Sequence, residues 1–361
     1  MNRSELLNTL GIVQPALAAN DLLPVLTHYW FTGDEVMAYN DVIALSATCK
    51  TEWRAALKGS ILREALNKGV GKEVDLEVTD DEAKIKCGKY TTKVPVLPDE
   101  SYIFEFPEPD DEDLVHVKPS EFIEGIETCL QSLGGHISEP ERKGIVLDPD
   151  GKKTLNLYST DSVTMSHAVV TTKKPHGIQS HITLSESFCE TALKLMRKKG
   201  GHEFKLYISE DYVLLEMEKV KLYGRVLDDP SPPKFAKVLG QYMPKNLDNG
   251  LVEIPKTITM LLDRAFIVVS KSIDPTTTLS VVEPKKKNGK HRLRVYSTSE
   301  LGNVTDSLDL DTTHPAVSVK VDLARLREVE LAKFDKFMVH ERCIVFTKGR
   351  RCFHLVSVID S

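Results

Sequence analysis

SILREALNKGVGKEVDLEVTDDEAKIKCGKYTTKVPVL, from Ser60 to Leu97, reads as one helix followed by three short strands. Ile61, Leu62, Ala65 and Leu66 recur at helical spacing up to Gly69. Val74, Leu76 and Val78 then alternate, the acidic turn Thr79-Asp80-Asp81-Glu82 reverses the chain, and Ala83, Ile85 and Cys87 alternate again before a third run, Tyr90 to Leu97. The same order returns at Phe188, with Ala192, Leu195 and Met196 on a helix. Its strands hold Phe204, Leu206 and Ile208, then Val213 and Leu215, then Val220 to Leu227. A third copy starts at Leu323, with strands Phe337 to Val339, Cys343 to Thr347 and Cys352 to Ile359. Val74 and Phe204 are 130 positions apart, and Phe204 and Phe337 are 133 apart. A repeat of that length means three similar domains.

Each copy has another helix-and-strand half before it. Ser4 to Ala19 is helical in pattern and is bent or shortened by Pro15. Leu22 to Leu26 enters a strand through Phe31, Gly33-Asp34 turns it, and Val36 to Leu45 returns. The second copy opens with a helix over Lys118 to Leu133, then strands Gly144 to Leu147 and Thr154 to Tyr158 around the turn Asp148 to Gly151. The third opens with a helix over Pro255 to Ser270, then strands Thr278 to Val282 and His291 to Tyr296. Tyr158-Ser159-Thr160 and Tyr296-Ser297-Thr298 occupy equivalent places. The expected fold is α+β, with three repeated domains, each a duplicated helix-and-strand unit.

Breaks in the periodicity place the joints. Phe104 to Asp113 is rich in proline and acid, while Asp228 to Pro233 and Pro244 to Gly250 are rich in turn residues. The predicted domains are residues 1–113, 114–249 and 250–361. Lys285-Lys286-Lys287-Asn288-Gly289-Lys290 is either a solvated hairpin tip or a loop that contacts phosphate.

With 361 residues, 41% hydrophobic and 28% charged, the chain suits two or three globular domains. A net charge of −6 excludes a generally basic nucleic-acid binder, so any DNA contact must come from segregated charge. The six cysteines show no CxxC spacing and read as small core residues of a reducing compartment. No signal peptide or long apolar run is visible, which predicts a cytoplasmic protein.

Four passages carry a resemblance to the bacterial β sliding clamp, the processivity subunit of the replicative DNA polymerase. Leu22 to Leu26 with the Gly33 turn is similar to that family's first strands. Gly88-Lys89-Tyr90 to Pro98 resembles its glycine-containing hairpin, Leu155 to Asp161 its strand ending in Thr-Asp, and Pro233 to Leu239 its Pro-x-aromatic-x-basic-Val-Leu segment. The likeness spans the chain in order. It implies a head-to-tail homodimer closing as a ring around duplex DNA, without cofactor or catalysis. It also implies polymerase and clamp-loader partners that bind through short peptides, in a bacterial cytoplasm or in a host infected by a virus carrying a divergent member.

A ring of that kind needs cations on its inward helices, because sequence-independent attraction to phosphate is electrostatic. Opposite the apolar stripes lie Lys194, Arg197 and Lys198; Lys256, Arg264 and Lys271; and Arg63, with Lys58 and Lys68 at the ends of its helix. Arg325 belongs to the same set, although its helix mixes Arg327 and Lys333 with Glu328 and Glu330. The helix over Lys118 to Leu133 instead shows Glu121 and Glu124.

The resemblance also implies a groove for client peptides between the second and third domains. The matching positions are Val163, Thr164 and Met165; Pro233, Lys237 and Val238; and Leu355, Val358 and Ile359. The family's Gly-His-Arg after Thr-Asp is here Ser162-Val163-Thr164, and its Met-Pro-Met-Arg-Leu tail is Ser357-Val358-Ile359-Asp360-Ser361. A groove altered in this way should prefer peptides with two or three large apolar residues. At the dimer seam, Val94 should face Val268 and Val269 of a second copy. No phosphate loop, HExxH, GxSxG or zinc spacing argues for an enzyme. The rival reading is a monomeric clamp-like protein that binds or mimics clamp partners without encircling DNA. A weaker third is a hydrolase with an unrecognised site.

Overall fold

The computed structural model describes residues 1–20, 23–97, 102–133, 144–198, 203–227, 234–243, 250–272, 275–284, 289–312 and 315–359. Along the chain come α1 (Arg3–Val13), β1 (His28–Phe31), β2 (Glu35–Tyr39), β3 (Ile43–Thr48), β4 (Ala55–Lys58), α2 (Gly59–Lys68), β5 (Asp75–Val78), β6 (Glu82–Cys87) and β7 (Tyr90–Leu97). Then follow α3 (Pro119–Cys129), β8 (Gly144–Pro149), β9 (Thr154–Thr160), β10 (Thr164–Thr171), β11 (Ile182–Ser185), α4 (Glu186–Met196), β12 (Lys205–Ile208), β13 (Tyr212–Glu216) and β14 (Val220–Leu227). The last part holds α5 (Phe235–Tyr242), β15 (Val252–Glu253), α6 (Ile258–Val269), β16 (Thr276–Val282), β17 (His291–Ser299), β18 (Gly302–Leu310), β19 (Val317–Asp322), α7 (Leu323–Glu328), β20 (Lys336–His340), β21 (Cys343–Lys348) and β22 (Cys352–Ser357). Every strand pairing whose register is described is antiparallel, and the fold is α+β.

The chain forms two compact units: Met1–Pro119 with Thr172–Leu227, and Ser120–Thr171 with Asp228–Ser361. Each combines one end of the chain with half of the middle repeat, because strands pair across the repeat boundaries. In the first unit β3 pairs with β14, Leu45 opposite Leu222. In the second, β10 pairs with β22, Met165 opposite Leu355.

In the first unit the Asn2 side chain accepts hydrogen bonds from the Ser4 and Glu5 amides and starts α1. Arg3 donates to the carbonyls of Leu66, Gly69 and Gly71, satisfying acceptors that the end of α2 leaves open. Leu62, Ala65 and Leu66 are buried, as the apolar spacing predicts. The second copy repeats this plan. Ser185 caps α4 through the Phe188 amide, and the Phe188 ring packs against β14 at Gly224. A β-carbon at that position would sit 2.3 Å from the ring, so only glycine permits the packing.

In the second unit β8, β9, β10, β22, β21, β20 and β15 pair in that order. A four-stranded sheet, β18-β17-β16-β19, carries Leu293, Val295, Leu279 and Val321 into the core beneath α6 and α7. Asp322 caps α7 through the Ala324 and Arg325 amides.

Several expectations are corrected. Pro24–Thr27 is a 3-10 turn with its proline at the first position, so the strand begins only at His28. Val36 to Leu45 is not one strand. Asn40 accepts from the Val42 and Ile43 amides and Asp41 takes φ +73°, which splits the run into β2 and β3. The first helix ends at Val13 and continues as a 3-10 turn, Gln14–Ala16, at Pro15. The second-copy helix ends at Cys129 and continues as a 3-10 turn over Leu130–Ser132. Strands β4, β10, β11, β15, β18 and β19 and helix α5 are not among the expected elements. The turns 228–233 and 244–249 and the basic residues 285–288 lie outside the described residues.

Candidate functional site

The second unit contains a groove of about 380 Å³. The turn between β9 and β10 gives it Ser162, Val163, Thr164 and Met165; α5 gives Phe235, Val238 and Tyr242; β21 and β22 give Cys343, Leu355 and Ser357. Met165 and Leu355 are register partners on neighbouring strands, so their side chains form one apolar floor. Helix α5 is the opposite wall. Its Phe235 and Val238 pack with Val146, Tyr158 and Met165, and its Leu239 packs with Cys343, Val345 and Leu355. Cys343 Sγ donates to the Tyr242 carbonyl at 3.3 Å and Arg342 Nη1 donates to the Gln241 carbonyl at 2.9 Å, which tie down the end of α5.

The β9–β10 turn is held by the Thr160 hydroxyl, which accepts from the Ser162 amide and donates to the Thr164 carbonyl, and by one carboxylate. Asp161 Oδ1 accepts from the Val163 amide at 3.0 Å, the Thr164 amide at 2.5 Å and the Thr164 hydroxyl at 2.9 Å. Ser162 takes φ +75°, a backbone region that favours glycine. The resemblance places a glycine there, so the glycine-like bend is kept without the residue that most easily makes it. The Thr164 hydroxyl is spent on Asp161, leaving this rim less able to bond a polar peptide group.

Beside the groove runs a ladder of flat rings. Phe235 stacks on Tyr158, Tyr158 on His167 at 4.7 Å, and His167 on Phe353 at 5.9 Å. Burial pushes the Tyr158 hydroxyl up to about 12, helped by Asp148 and Asp150. Burial pulls the His167 imidazole down to about 4 and pushes the Cys343 thiol up to about 12. The groove therefore presents neutral side chains near pH 7, which suits apolar contacts rather than acid–base or nucleophilic chemistry. Behind the floor, Ser132, Ser166 and His354 share hydrogen bonds, but all three are fully buried and out of reach of a substrate.

The structure brings Val163, Thr164, Met165, Val238 and Leu355 together as expected. Lys237 is on the exposed side of α5 and is not among the lining residues. Val358 packs against the core beneath α6 and α7 instead. Ile359 is exposed and bridges to Lys320 of β19. Pro233 lies outside the described residues. Sequence reasoning missed Phe235, Tyr242 and Cys343. The spacing of Phe235, Val238, Leu239 and Tyr242 on one helical face was the available signal.

The cations differ in their surroundings. Lys194, Arg197, Lys198, Lys256 and Lys271 are exposed. Lys58, Arg63 and Lys68 line a cavity of about 550 Å³ along α2. The Arg63 guanidinium turns toward the Tyr29 hydroxyl, with Nη1 buried. Arg264 pairs with Asp306 at 2.7 Å, and Lys194 lies 3.6 Å from Glu190. Arg325 does not project into solvent: its side chain is 14% exposed, between Asp161 and Glu328. The acidic helix also has an explanation. Glu121 accepts from the Thr171 amide and hydroxyl and pairs with Arg351, Glu124 pairs with Lys348, and Glu127 pairs with Lys333. These carboxylates of α3 are matched by cations of their own unit.

Of the three residues expected at a dimer seam, Val94 and Val269 are buried within the chain and Val268 is half-buried. The exposed apolar residues nearby are Ile267 and Met260 on α6 and Leu301 in the β17–β18 turn. Ser299 Oγ donates to the Val268 carbonyl at 2.5 Å, joining that turn to the helix. The turn of α6 is thus one residue away from the expected one, with Ile267 rather than Val269 facing out.

No family model matches the sequence, and no curated protein matches it. Solved structures do. The DNA polymerase sliding clamp of Bacillus subtilis aligns at TM-score 0.84 and 14% identity, over 100% of this chain and 98% of that one. The β subunit of DNA polymerase from Streptococcus pyogenes aligns at 0.83 and 15%, over 100% and 99%. The DNA polymerase III β subunit of Pseudomonas aeruginosa aligns at 0.83 and 13%, over 100% and 99%. From end to end, the fold of this chain is that of the bacterial DNA polymerase sliding clamps.

Proposed function

We propose that the protein is a sliding clamp: two copies close head to tail around duplex DNA, and polymerase and clamp loader dock through short peptides. The observation that carries this reading is the end-to-end agreement with solved clamps in a chain whose own groove has an apolar floor, an aromatic wall and neutral side chains. Such a groove suits an extended peptide that buries two or three large apolar residues. The division into domains 1–113, 114–249 and 250–361 belongs to the same proposal. So does the role of Lys58, Lys68, Lys194, Arg197, Lys198, Lys256, Arg264 and Lys271 as phosphate contacts. The dimer seam is formed by α6, through Ile267 and Val268, against the β7 edge of a second copy. The function is mechanical rather than catalytic.

Sedimentation at micromolar concentration tests the assembly. A ring requires twice the mass of one chain. A single-chain mass throughout supports the other reading, a monomeric clamp-like protein that takes up clamp-binding peptides without encircling DNA.

A further inference from the structure

We propose that Arg325 is a positioning residue for the peptide groove, acting through Asp161, and not a DNA contact. This rests on the reading of the groove as the client site. The Asp161 side chain is only 4% exposed. Its Oδ1 takes three of the hydrogen bonds that shape the rim, from the Val163 amide, the Thr164 amide and the Thr164 hydroxyl, while Thr160 Oγ1 donates to the Thr164 carbonyl and accepts from the Ser162 amide. Arg325 Nη1 stands 3.9 Å from Oδ2, and no other cation is paired with this carboxylate among the described residues. A carboxylate withdrawn from water is tolerated when it is both hydrogen-bonded and paired. Here the hydrogen bonds come from the rim and the pairing charge comes from α7.

The sequence distance hides this arrangement. Asp161 directly follows β9, and Arg325 sits in the first turn of α7, where Asp322 accepts its amide and fixes its place. The guanidinium is divided between a buried partner and an exposed one, since Nη1 also lies 3.0 Å from Glu328 Oε2. Removing Arg325 leaves the Asp161 charge buried and unpaired. The turn then relaxes by opening toward water, and that turn carries Ser162 at φ +75° and Val163 at the mouth of the groove. Removing Glu328 leaves Asp161 its cation and the rim intact.

The test is titration of a labelled synthetic peptide carrying two leucines and a phenylalanine against the full-length protein. Arg325→Met should weaken binding about tenfold, and Arg325→Lys should restore part of it. Glu328→Gln should stay within about twofold of wild type. In an Asp161→Asn background, Arg325→Met should have little further effect, because the charge it compensates is gone. Val238→Asp separates the two layers of the argument. If wild type binds the peptide and Val238→Asp loses it while Arg325→Met binds like wild type, the positioning role is overturned and the groove stands. If wild type does not bind the peptide at all, the groove reading fails and this inference with it. A lower melting temperature for Arg325→Met with unchanged peptide affinity also overturns it, as does loss of DNA retention with unchanged peptide affinity.

Discussion

The ring of Phe235 lies 5.1 Å from that of Tyr158, with planes 8° apart. This stack fastens α5 to β9 and makes one wall of the groove from a segment only eight residues long. A helix that short has little stability of its own, so the wall depends on its anchor. Phe235→Ala should weaken binding of an apolar peptide by about tenfold or more, since one large buried ring contributes about 1.5–3 kcal/mol. Peptide titration with circular dichroism as a fold control checks this, and wild-type affinity in the folded variant would show that α5 is not part of the site.

Replacing Lys194, Arg197, Lys256 and Lys271 together by alanine should weaken DNA binding and flatten its salt dependence. Each lost phosphate contact lowers the slope of log K against log salt by about 0.9. Sequence preference should not change, because phosphate contacts carry no sequence information. An unchanged slope would remove these helices from the DNA-facing surface.

Ile267 offers the sharper test of assembly, because Val94 and Val269 are already buried within one chain. Ile267→Arg should give folded single chains where wild type sediments as a dimer, since an arginine without a partner is costly to bury in an apolar seam. A dimer of wild-type strength in this variant would place the seam elsewhere.

His354 makes stability depend on pH. It is fully buried between Phe334 and Phe346, with Nδ1 2.9 Å from Ser166 Oγ, and burial holds it down to about 4. Unfolded, it titrates at about 6.5, so between those values the unfolded chain binds the extra proton. Its contribution is present above pH 6.5 and is lost as pH falls toward 4, up to about 3 kcal/mol. His167 acts in the same direction. Urea unfolding at several pH values should show a shallower decline for His354→Asn than for wild type, and parallel declines would mean that other groups set the acid limit.

Much of the fold was legible because each repeat announces itself through spacing. The run from Ser60 to Leu97 keeps its helix and three strands, and Leu62, Leu66, Ala83 and Ile85 are all buried on the expected faces. What the sequence hid is tertiary. The run Thr164–Thr171 has five consecutive buried residues, so it shows no alternation to read. Arg325 sits on the polar side of a helix in projection, yet a neighbouring turn covers it, and no helical wheel contains that turn. Glu121 is partly covered for the same reason, by Arg351 and Thr171. For the groove, the strand residues were visible through the resemblance, whereas Tyr242 and Cys343 become neighbours only when α5 folds onto β21.

The central claim is that this protein encloses DNA, and a topological assay tests it without a loader. The protein is mixed with a long linear duplex, the ends are then blocked by streptavidin on terminal biotins, and the mixture is gel-filtered at high salt, where phosphate contacts alone fail. The predicted result is protein retained on blocked DNA and released by a single restriction cut. Absence from the blocked duplex, or retention that survives the cut, would contradict an encircling clamp.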